Sequence, residues 1–446
     1  EESSFWDKHL RFDGYAQIFG AQDLHDESEV ESSYALRNKI RAQVRYTIFP
    51  SNETFQARSN NSPYFILSGE SDYLRFDNEE IHDEYDLDFY ETYLNWNKGP
   101  LQVRAGKQIV RWGKTDQISP VDVVNPQDMR QFTLPDMEER KIPNWLLKTT
   151  LYSDKVSLQG IYIPFFEPNE IDFFGTDWAV FRHLKQDISH SQLNPALKDY
   201  FQDLEVDRNE PSDSLEEAQF GGRLTSSIQD VDVGLSYFYG YDPTPHITNF
   251  PVKNISVDGS FDAENLQDEL QGAVLTDQNI EVDYKRSRMA GIDFETTLGK
   301  FGVRGESAYF DSRSFLTDSL TSESRETIFS VLGADYLGEA NWYANIQVGH
   351  QHIYGYSEDI LYFRQDNWNL TGELSKEFKR GKLEIGADGA YFVNDGSFLV
   401  NPWVSIEVLT DLHTEIGAHL FEGNPDTILG QYDENDQGYV KMEYYF

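Results

Sequence analysis

The sequence has no cysteine among its 446 residues and comparatively few basic residues. Without cysteine the chain has no disulfide, no cysteine-bound zinc or iron–sulfur cluster and no covalently attached haem. It also has no run of about 18 apolar residues, which excludes a transmembrane helix. Lys and Arg number 37 against 77 Asp and Glu, for a net charge of -40. This charge argues against nucleic-acid binding, which needs a basic surface.

Aromatic residues, by contrast, are abundant in a chain of low mean hydropathy. The chain has 26 Tyr and 30 Phe, and its mean hydropathy is -0.59. Disordered chains are polar but poor in aromatics, so this composition does not fit disorder. A transmembrane barrel explains it, because alternate residues face lipid and a polar lumen while aromatics gather at the membrane interfaces. No signal peptide is visible at Glu1, as expected of a mature, processed chain.

A period of two dominates the hydrophobic pattern. Over residues 36–48, apolar side chains alternate with Arg, Lys, Gln and Thr, and similar alternation covers 231–239, 383–391 and 398–408. This is the period of β-strands, and the first run is longer than the usual strand of a soluble sheet. The pattern therefore predicts tilted strands that span a membrane.

The connections between these strands alternate in length. Tight turns, such as 97–100, 228–230 and 409–411, alternate with long polar stretches. Outer-membrane barrels have short periplasmic turns and longer extracellular loops. The sequence therefore predicts an all-β fold, a single transmembrane antiparallel up-and-down β-barrel over 1–446. The predicted strand count is about 18, with 14 or 16 as alternatives because 49–63 is too long for a usual periplasmic turn.

Three long connections are expected to carry structure of their own. Residues 113–144 are the predicted constriction or latch loop, and 164–217 and 242–286 are predicted to be long acidic extracellular loops. Short helices are expected over 194–201, where a proline follows an N-cap residue, and over 262–274. These loops either cover the surface or fold inward as a partial plug.

The C-terminal segment reads as a strand with a distinctive end. Val440, Met442, Tyr444 and Phe446 lie on one face of this strand. A terminal Phe after alternating aromatics resembles the signal that the barrel-assembly machinery reads in outer-membrane proteins. At the edge of a soluble sheet the same strand would be an aggregation hazard. We therefore expect a barrel of the Gram-negative outer membrane, in contact with the lipid bilayer and lipopolysaccharide, that this strand closes.

Two motifs near the first long loop are the most distinctive part of the sequence. Residues 106–113 read GKQIVRWG, and residues 122–128 read DVVNPQD. They resemble the DUF1302 family, an uncharacterised proteobacterial family of outer-membrane β-barrels that reads G-[RK]-Q-x-x-x-W-G and then D-V-V-N-P-x-D. The resemblance implies a monomeric barrel, often encoded beside exporters of the resistance-nodulation-division type and genes for breaking down hydrophobic or aromatic compounds. It suggests passage of hydrophobic or amphipathic molecules and identifies no substrate.

The candidate site is the lumen. We expect contributions from the loop 113–144, which carries the second motif and is here called the motif loop, and from the strand over 36–48, here called the basic strand. The motif loop either latches against the inner wall and holds the barrel's shape or contacts solute as a selectivity element. The basic strand either forms internal salt bridges, facing acids such as Asp86, Asp88, Glu384 and Asp388, or binds anionic or amphipathic solutes. The candidate lumen and constriction residues are Arg37, Lys39, Arg41, Arg45, Arg104, Trp112, Asp116, Asp122, Asn125, Asp128 and Arg130. Trp112 is expected either in the interface girdle or pointing into the mouth.

Catalytic and metal-binding patterns are weak. No G-x-S-x-G motif is present. His350 and His352 lie on one face of a predicted strand, but no third metal ligand is spaced to join them, so girdle or lumen packing is expected. The acidic run 433–436 lacks the glycine and final glutamate of an EF-hand loop. No catalytic residue, metal site or cofactor is predicted, although the acidic exterior is either simply solvated or able to bind divalent cations near lipopolysaccharide.

The function expected from these features is an outer-membrane channel for hydrophobic or amphipathic small molecules, with uptake and export equally open. One alternative is a non-conducting structural or docking barrel for a periplasmic or inner-membrane exporter. A second alternative is an outer-membrane hydrolase, because a catalytic triad need not follow sequence order.

Overall fold

A computed structural model describes residues 9–24, 34–48, 62–77, 81–181, 188, 195–257, 273–276 and 278–446. Its strands are β1 (Leu10–Asp23), β2 (Tyr34–Thr47), β3 (Tyr64–Asp77), β4 (Ile81–Phe89), β5 (Thr92–Lys98), β6 (Leu101–Gln108), β7 (Asn144–Tyr152), β8 (Val156–Ile163), β9 (Val206–Arg208), β10 (Gln219–Ile228), β11 (Val231–Tyr241), β12 (His246–Asn249), β13 (Val252–Lys253), β14 (Val274–Leu275), β15 (Ile280–Asp283), β16 (Arg286–Leu298), β17 (Phe301–Leu316), β18 (Ser322–Leu337), β19 (Trp342–Ile353), β20 (Asp366–Phe378), β21 (Leu383–Phe392), β22 (Phe398–Leu409), β23 (Leu412–Glu422) and β24 (Gln437–Tyr445). The helices are α1 (Met137–Arg140) and α2 (Pro195–Gln202).

One closed antiparallel sheet forms the barrel wall. Its 19 segments are β1–β8, β10, β11 and β16–β24, and β1 pairs with both β2 and β24. Only Tyr90 and Glu91 separate β4 from β5, and both segments pair with β3, so they form one interrupted strand. The barrel therefore has 18 strands, which confirms the predicted fold and strand count.

The two ends of the barrel differ. At one end, here called the turn end, the connections are two to four residues long, except that β2 and β3 are joined by 48–63, of which 49–61 lie outside the described residues. At the opposite end, the loop end, long connections cover 109–143, 164–218 and 242–285. The first described strand begins and the last one ends at the turn end, because Leu10 pairs with Tyr46 near the end of β2 and β24 runs antiparallel to β1.

Alternation along each strand separates a lipid-facing side from a lumen-facing side. Leu235 and Ile346 point outward and are exposed, whereas their chain neighbours Ser236 and Gln347 point inward and are buried. This is the period-two pattern that the sequence shows, since successive side chains of a strand face opposite sides of the sheet. The apolar residues thus form the outer belt, and polar residues line the interior.

The long loops pack into an apolar cluster above the loop end of the barrel. Its buried members include Phe173, Phe181, Phe201, Phe250 and Ile280. Phe201 is on α2, which forms where the sequence predicts a helix; residue 194 and most of the second predicted helix, 262–272, lie outside the described residues. No helix in the described ranges is long and apolar enough to cross a membrane.

Candidate lumen constriction

The chain leaves the wall after β6 and returns at β7, and residues 109–143 between them form what we call the lumen segment. The sequence suggests a strand that continues to Trp112 and Gly113, but β6 ends at Gln108. The backbone N–H of Val110 instead donates to Oδ1 of Asn125 at 2.8 Å, and that of Trp112 donates to Oδ1 of Asp122 at 3.1 Å. Side chains of the DVVNPQD motif thus replace the neighbouring strand as acceptors, which turns the chain inward.

Asn125 joins the two places where the lumen segment meets the wall. Its buried Nδ2 donates to the carbonyl oxygens of Gln108 at 3.2 Å and Ile142 at 2.8 Å. A buried amide that uses both of its groups holds a unique geometry, because each unmade hydrogen bond would cost desolvation energy. This geometry explains why an asparagine stands at this position of the motif.

Asp122 forms a buried ion pair close to the two ends of the lumen segment. Nζ of Lys141 lies 2.6 Å from Oδ2 of Asp122, and both side chains are almost fully buried. Burial raises the pKa of Asp122, against the lowering effect of the Lys141 ammonium. Replacing either residue alone would leave a buried charge without its partner, which is strongly destabilising.

Trp112 lies in neither of the two places expected from the sequence. It is buried against the inner wall, with its ring edge-to-face on Phe238 at 6.4 Å between centroids. Its Nε1 donates to Oε1 of Gln159 on β8 at 2.7 Å. The lumen segment turns inward before this residue, so Trp112 fixes the segment to β8 and β11 instead of entering the girdle or the mouth.

Two strands along the wall from β11, Glu306 on β17 holds the next part of the segment. Its carboxylate accepts from the backbone N–H groups of Lys114 and Thr115, the latter at 2.7 Å, and from Oγ of Ser119 at 2.8 Å. Glu306 is buried. Several donors on one buried carboxylate form strong charge-assisted hydrogen bonds, so this contact fixes the segment to β17.

Arg37, Asp128 and Arg130, three of the predicted residues, meet where the segment contacts β2 and β3. Asp128 pairs with Arg37 of β2, and its Oδ1 lies 3.0 Å from Nε of Arg130. Nη2 of Arg37 also lies 2.5 Å from Oδ2 of Asp72 on β3. Burial alone would raise the pKa of Asp128, but the two guanidinium groups outweigh it and hold that pKa well below its usual range.

The acidic partners of the basic strand differ from those expected. Lys39 is 3.9 Å from Asp72, and Arg41 is paired with Glu70. Both acids lie on β3 directly opposite these residues in the strand register. The expected partners Asp86, Asp88, Glu384 and Asp388 form no ion pair with this strand among the described residues. Register across the β2–β3 hairpin, a signal within the sequence, would have found Asp72 and Glu70.

Two more predicted basic residues lie nearer the turn end and do not contact the lumen segment in the described residues. The guanidinium carbon of Arg45 lies 3.9 Å from the ring centroid of Tyr64. Nε of Arg104 donates to Oδ1 of Asn95 at 3.0 Å. The structure therefore brings together Arg37, Asp128 and Arg130 and separates them from Arg45 and Arg104.

The lumen segment leaves one side of the interior uncovered. The inward residues of β21 and β22 there are only partly buried, and so are four inward carboxylates of β20, β21 and β23: Glu373, Glu384, Asp388 and Glu415. Asp136 of the segment is close enough to Glu373, Asp388 and Glu415 to interact electrostatically with each. Only part of this acidic face was anticipated from the sequence. It leaves room for an off-centre passage beside the segment.

Two clusters of histidine and acid lie outside the constriction. His82 and Glu84 of β4 and Asp172 of the loop that follows β8 offer ligand atoms that all lie within 4.8 Å of one another. Arg130 binds the same Glu84 carboxylate, with Nη1 2.7 Å from Oε2. On the outer surface His350 stacks on Trp368, with 4.2 Å between ring centroids, and its Nε2 lies 2.9 Å from Oδ1 of Asp366. This is packing on the outer wall of the barrel.

Comparisons with known proteins agree with this architecture. The sequence profile described as "Protein of unknown function (DUF1302)" matches residues 9–398. The solved structure of Acinetobacter baumannii OccAB1 has a TM-score of 0.52 at 8% identity, covering 100% of this chain and 99% of that one. Pseudomonas aeruginosa OccK7 (OpdD) has a TM-score of 0.46 at 10% identity, with 98% of each chain covered. A Rh. blastica porin variant has 0.39 at 11% identity, covering 98% of this chain and 100% of that one.

The likeness to OccAB1 shows the fold alone at this level of identity: this chain folds as a porin-like β-barrel. No curated protein matches the sequence significantly. The comparisons therefore leave the solute and the direction of passage to be argued from the lumen.

Proposed function

This chain belongs to the DUF1302 family of proteins of unknown function, and we propose that it is an outer-membrane channel for hydrophobic or amphipathic small molecules. The proposal includes no catalytic step and no cofactor. The long loops would face the exterior and the turn end the periplasm, as in outer-membrane barrels generally. The same geometry serves uptake and export, so the proposal leaves the direction open.

The partly exposed acidic side of the lumen carries this proposal, because it is where an off-centre passage would run beside the lumen segment. The lumen segment contacts β2, β8, β17 and β24, so it narrows the barrel from several sides. It nevertheless leaves Asp388 and Glu415 partly exposed beside Trp403. A barrel of this size needs its lumen constricted if it is to select among solutes. Carboxylates next to an aromatic ring suit a molecule with both a polar and an apolar part.

Single-channel recording in planar bilayers tests whether the passage conducts. We expect the wild-type protein to give small, steady currents. Replacing residues 114–139 by a short Gly-Ser linker should raise the conductance several-fold, because the charged anchors on Arg37 and Glu306 would lose their partners. Silence from both proteins would contradict conduction and favour the docking barrel for an exporter.

Transfer of a hydrophobic dye across proteoliposomes tests the class of solute. We expect faster equilibration of N-phenyl-1-naphthylamine with the protein than with empty liposomes, and a further increase with the linker variant. Ion currents without any acceleration of the dye would contradict the hydrophobic solute while leaving the channel intact. Hydrolysis of lipid by the purified protein, lost on substitution of one Ser or His, would contradict a purely conducting role.

A further inference from the structure

The wall has a gap beside β4. β4 pairs with β3 along its whole length, from Phe89 opposite Gly69 to Ile81 opposite Asp77. Its other edge should pair with β6, but β6 ends at Gln108 and pairs only with β5 on that side. Among the described residues no strand pairs with this second edge of β4. The lumen segment, which leaves the wall at this point, thus opens the barrel here.

This free edge lies at the level of the apolar belt. The outward residues Tyr85 and Leu87 lie opposite Tyr73 and Ser71 of β3. Leu87 is 72% exposed, whereas outward residues paired on both sides within the intact wall are less exposed, Leu332 at 56% and Val348 at 37%. The additional exposure of Leu87 reflects the missing neighbour.

The inward face of β4 is open as well. The side chain of Asp86 is 61% exposed although it pairs with Arg130 of the lumen segment at 3.3 Å, whereas that of Asp72, its register partner on β3, is 9% exposed. The Asp88 side chain is 67% exposed although it pairs with Lys107. A strand that is accessible on its outer face, on its inner face and along one edge borders an opening through the wall.

Polar contacts limit this opening at both ends. Toward the turn end, Lys107 pairs with Asp88, and the N–H of Ile109 donates to Oε1 of Glu91 at 3.1 Å. Toward the loop end, Arg130 of the lumen segment holds Glu84, with Nη1 2.7 Å from Oε2. The four residue steps from Glu84 to Asp88 span about 14 Å at the usual rise of a strand.

An unpaired sheet edge that faces hydrocarbon is costly, and non-helical backbone at membrane depth is tolerated where it lines a cavity or is covered by protein. We propose that the gap between β4 and the ends of β6 and β7 is a lateral opening, through which amphipathic solutes pass between the lumen and the outer leaflet. This inference rests on the proposed channel function. The solute that fits has an apolar tail, which would lie along Leu87 and Phe89, and a cationic head. The inward carboxylates Glu84, Asp86 and Asp88 would attract this head, because they outnumber the two cations paired with them, Arg130 and Lys107.

Blocking the opening after the protein has folded tests this inference without disturbing assembly. Because the chain has no cysteine, Leu87→Cys and Val348→Cys each create a single site for a bulky maleimide. We expect the adduct at position 87 to slow transfer of a fluorescent alkylammonium probe from the outer leaflet several-fold, with potassium conductance unchanged. The adduct at position 348, the matched control, should change neither. Equal transfer with both adducts would overturn the lateral opening.

A second measurement asks whether lipid reaches an inward position through the gap. A fluorophore on Asp88→Cys should be quenched by lipids that carry a doxyl group, whereas one on Asp388→Cys, inward on an intact wall, should not. Equal quenching at the two positions would overturn the gap. If unmodified protein moves no alkylammonium probe at all, the proposed function fails instead. A dimer in light scattering that the adduct at 87 dissolves would show that a second copy pairs with the edge, and would also overturn the proposal.

Discussion

Both carboxylate oxygens of Asp116 in the lumen segment lie 2.8 Å from Nη1 of Arg304 on β17. The same guanidinium pairs with Asp335 on β18, so Arg304 ties two wall strands to the segment. Asp116 is more than one-third exposed, and an ion pair of this exposure contributes little, up to about 1 kcal/mol. Glu306 lies two residues beyond Arg304 on β17. It is buried and makes the stronger attachment to the lumen segment.

This contrast predicts an order of effects. Glu306→Ala should loosen the lumen segment more than Arg304→Gln, because it leaves buried N–H groups of the segment without an acceptor, and hydrogen bonds to a charged group contribute about 1.5–3 kcal/mol each. We expect noisier currents and faster proteolysis within 114–121 for Glu306→Ala. Glu339→Gln, on an exposed turn, should behave as wild type. The reverse order for Glu306 and Arg304 would contradict the assignment of the main anchor.

Trp112 allows a test of how the segment is held on β8 and β11. Trp112→Phe keeps an aromatic ring against Phe238 but leaves Oε1 of Gln159 without its 2.7 Å donor, a loss of about 1–3 kcal/mol. Trp112→Ala should cost about 3–5 kcal/mol, because it also leaves a cavity. Thermal unfolding in detergent should show this order. Trp145→Phe on the lipid-facing surface should shift the melting temperature little, and a shift as large as that of Trp112→Phe would argue against the buried anchor.

The acidic side of the passage predicts selectivity for cations. Glu373 and Asp388 face the passage from neighbouring strands, and rings of carboxylates favour cations in channels. Reversal potentials in a potassium chloride gradient should show preference for potassium. The double variant Glu373→Gln, Asp388→Asn should reduce that preference, whereas Glu422→Gln at the exposed end of β23 should not. Anion preference in the wild-type protein would contradict an acidic passage.

The fold was predictable because a barrel repeats one local rule. Each strand alternates apolar and polar residues, and a one-residue shift in register would turn the polar side to lipid. That constraint determined the strands and the alternation of turns and loops, and with them the count of 18. The exact end of β6 was not predictable, because it depends on Asn125 and Asp122 reaching back to the N–H groups of Val110 and Trp112. Contacts of this kind leave no periodic signal.

The site was only partly predictable for the same reason. The motif indicated Asp128, the candidate Arg130 lies two residues beyond it, and alternation indicated Arg37, but their convergence requires the three-dimensional path of the lumen segment. Glu306 was missed entirely, because it lies almost 200 residues beyond the motif and appears in sequence as one more acid on a strand. Its partners are mostly backbone N–H groups, which cannot be recognised from residue types in the sequence.

Burial of acids in the loop that follows β8 predicts a pH-dependent contact. Burial raises the pKa of Glu170 to about 7, although Arg130 lies 2.9 Å away, and raises the pKa of Asp172 to about 6. A carboxyl whose pKa is raised on docking favours the docked state when protonated. Docking of 164–181 should therefore be tightest below pH 4.5, the ordinary value for Glu170, and should weaken as the pH rises to about 7.

Proteolysis of 164–181 over this pH range, with a protease whose intrinsic rate is measured separately, checks the prediction. Glu170→Gln should remove the part of the change above pH 6, and Asp172 should account for the remainder. Glu216→Gln, an exposed acid in the same connection, is the control. Tighter docking at pH 8 than at pH 5 would show that the Arg130 ion pair outweighs burial.

The chain terminus closes the barrel through its backbone as well as its ring. The N–H of Phe446 donates to the carbonyl oxygen of Gly14 at 3.0 Å, and the N–H of Gly14 donates to that of Phe446 at 2.8 Å. A side chain on Gly14 would meet the Phe446 ring at 2.6 Å, so the ring lies directly over this glycine. Removing Phe446 loses both bonds, whereas Phe446→Ala loses only the ring.

We therefore expect deletion of Phe446 to impair assembly more than Phe446→Ala does, measured as the fraction of protein with the heat-modifiable mobility of a folded barrel. If the barrel-assembly machinery reads the terminal ring, Phe446→Ala should impair folding in cells more than refolding in detergent, since only the cell contains that machinery. Phe12→Ala on the adjacent strand, which removes an equally exposed lipid-facing ring, should show no such difference. Equal defects in cells and in detergent would mean that Phe446 acts through closure of the sheet alone.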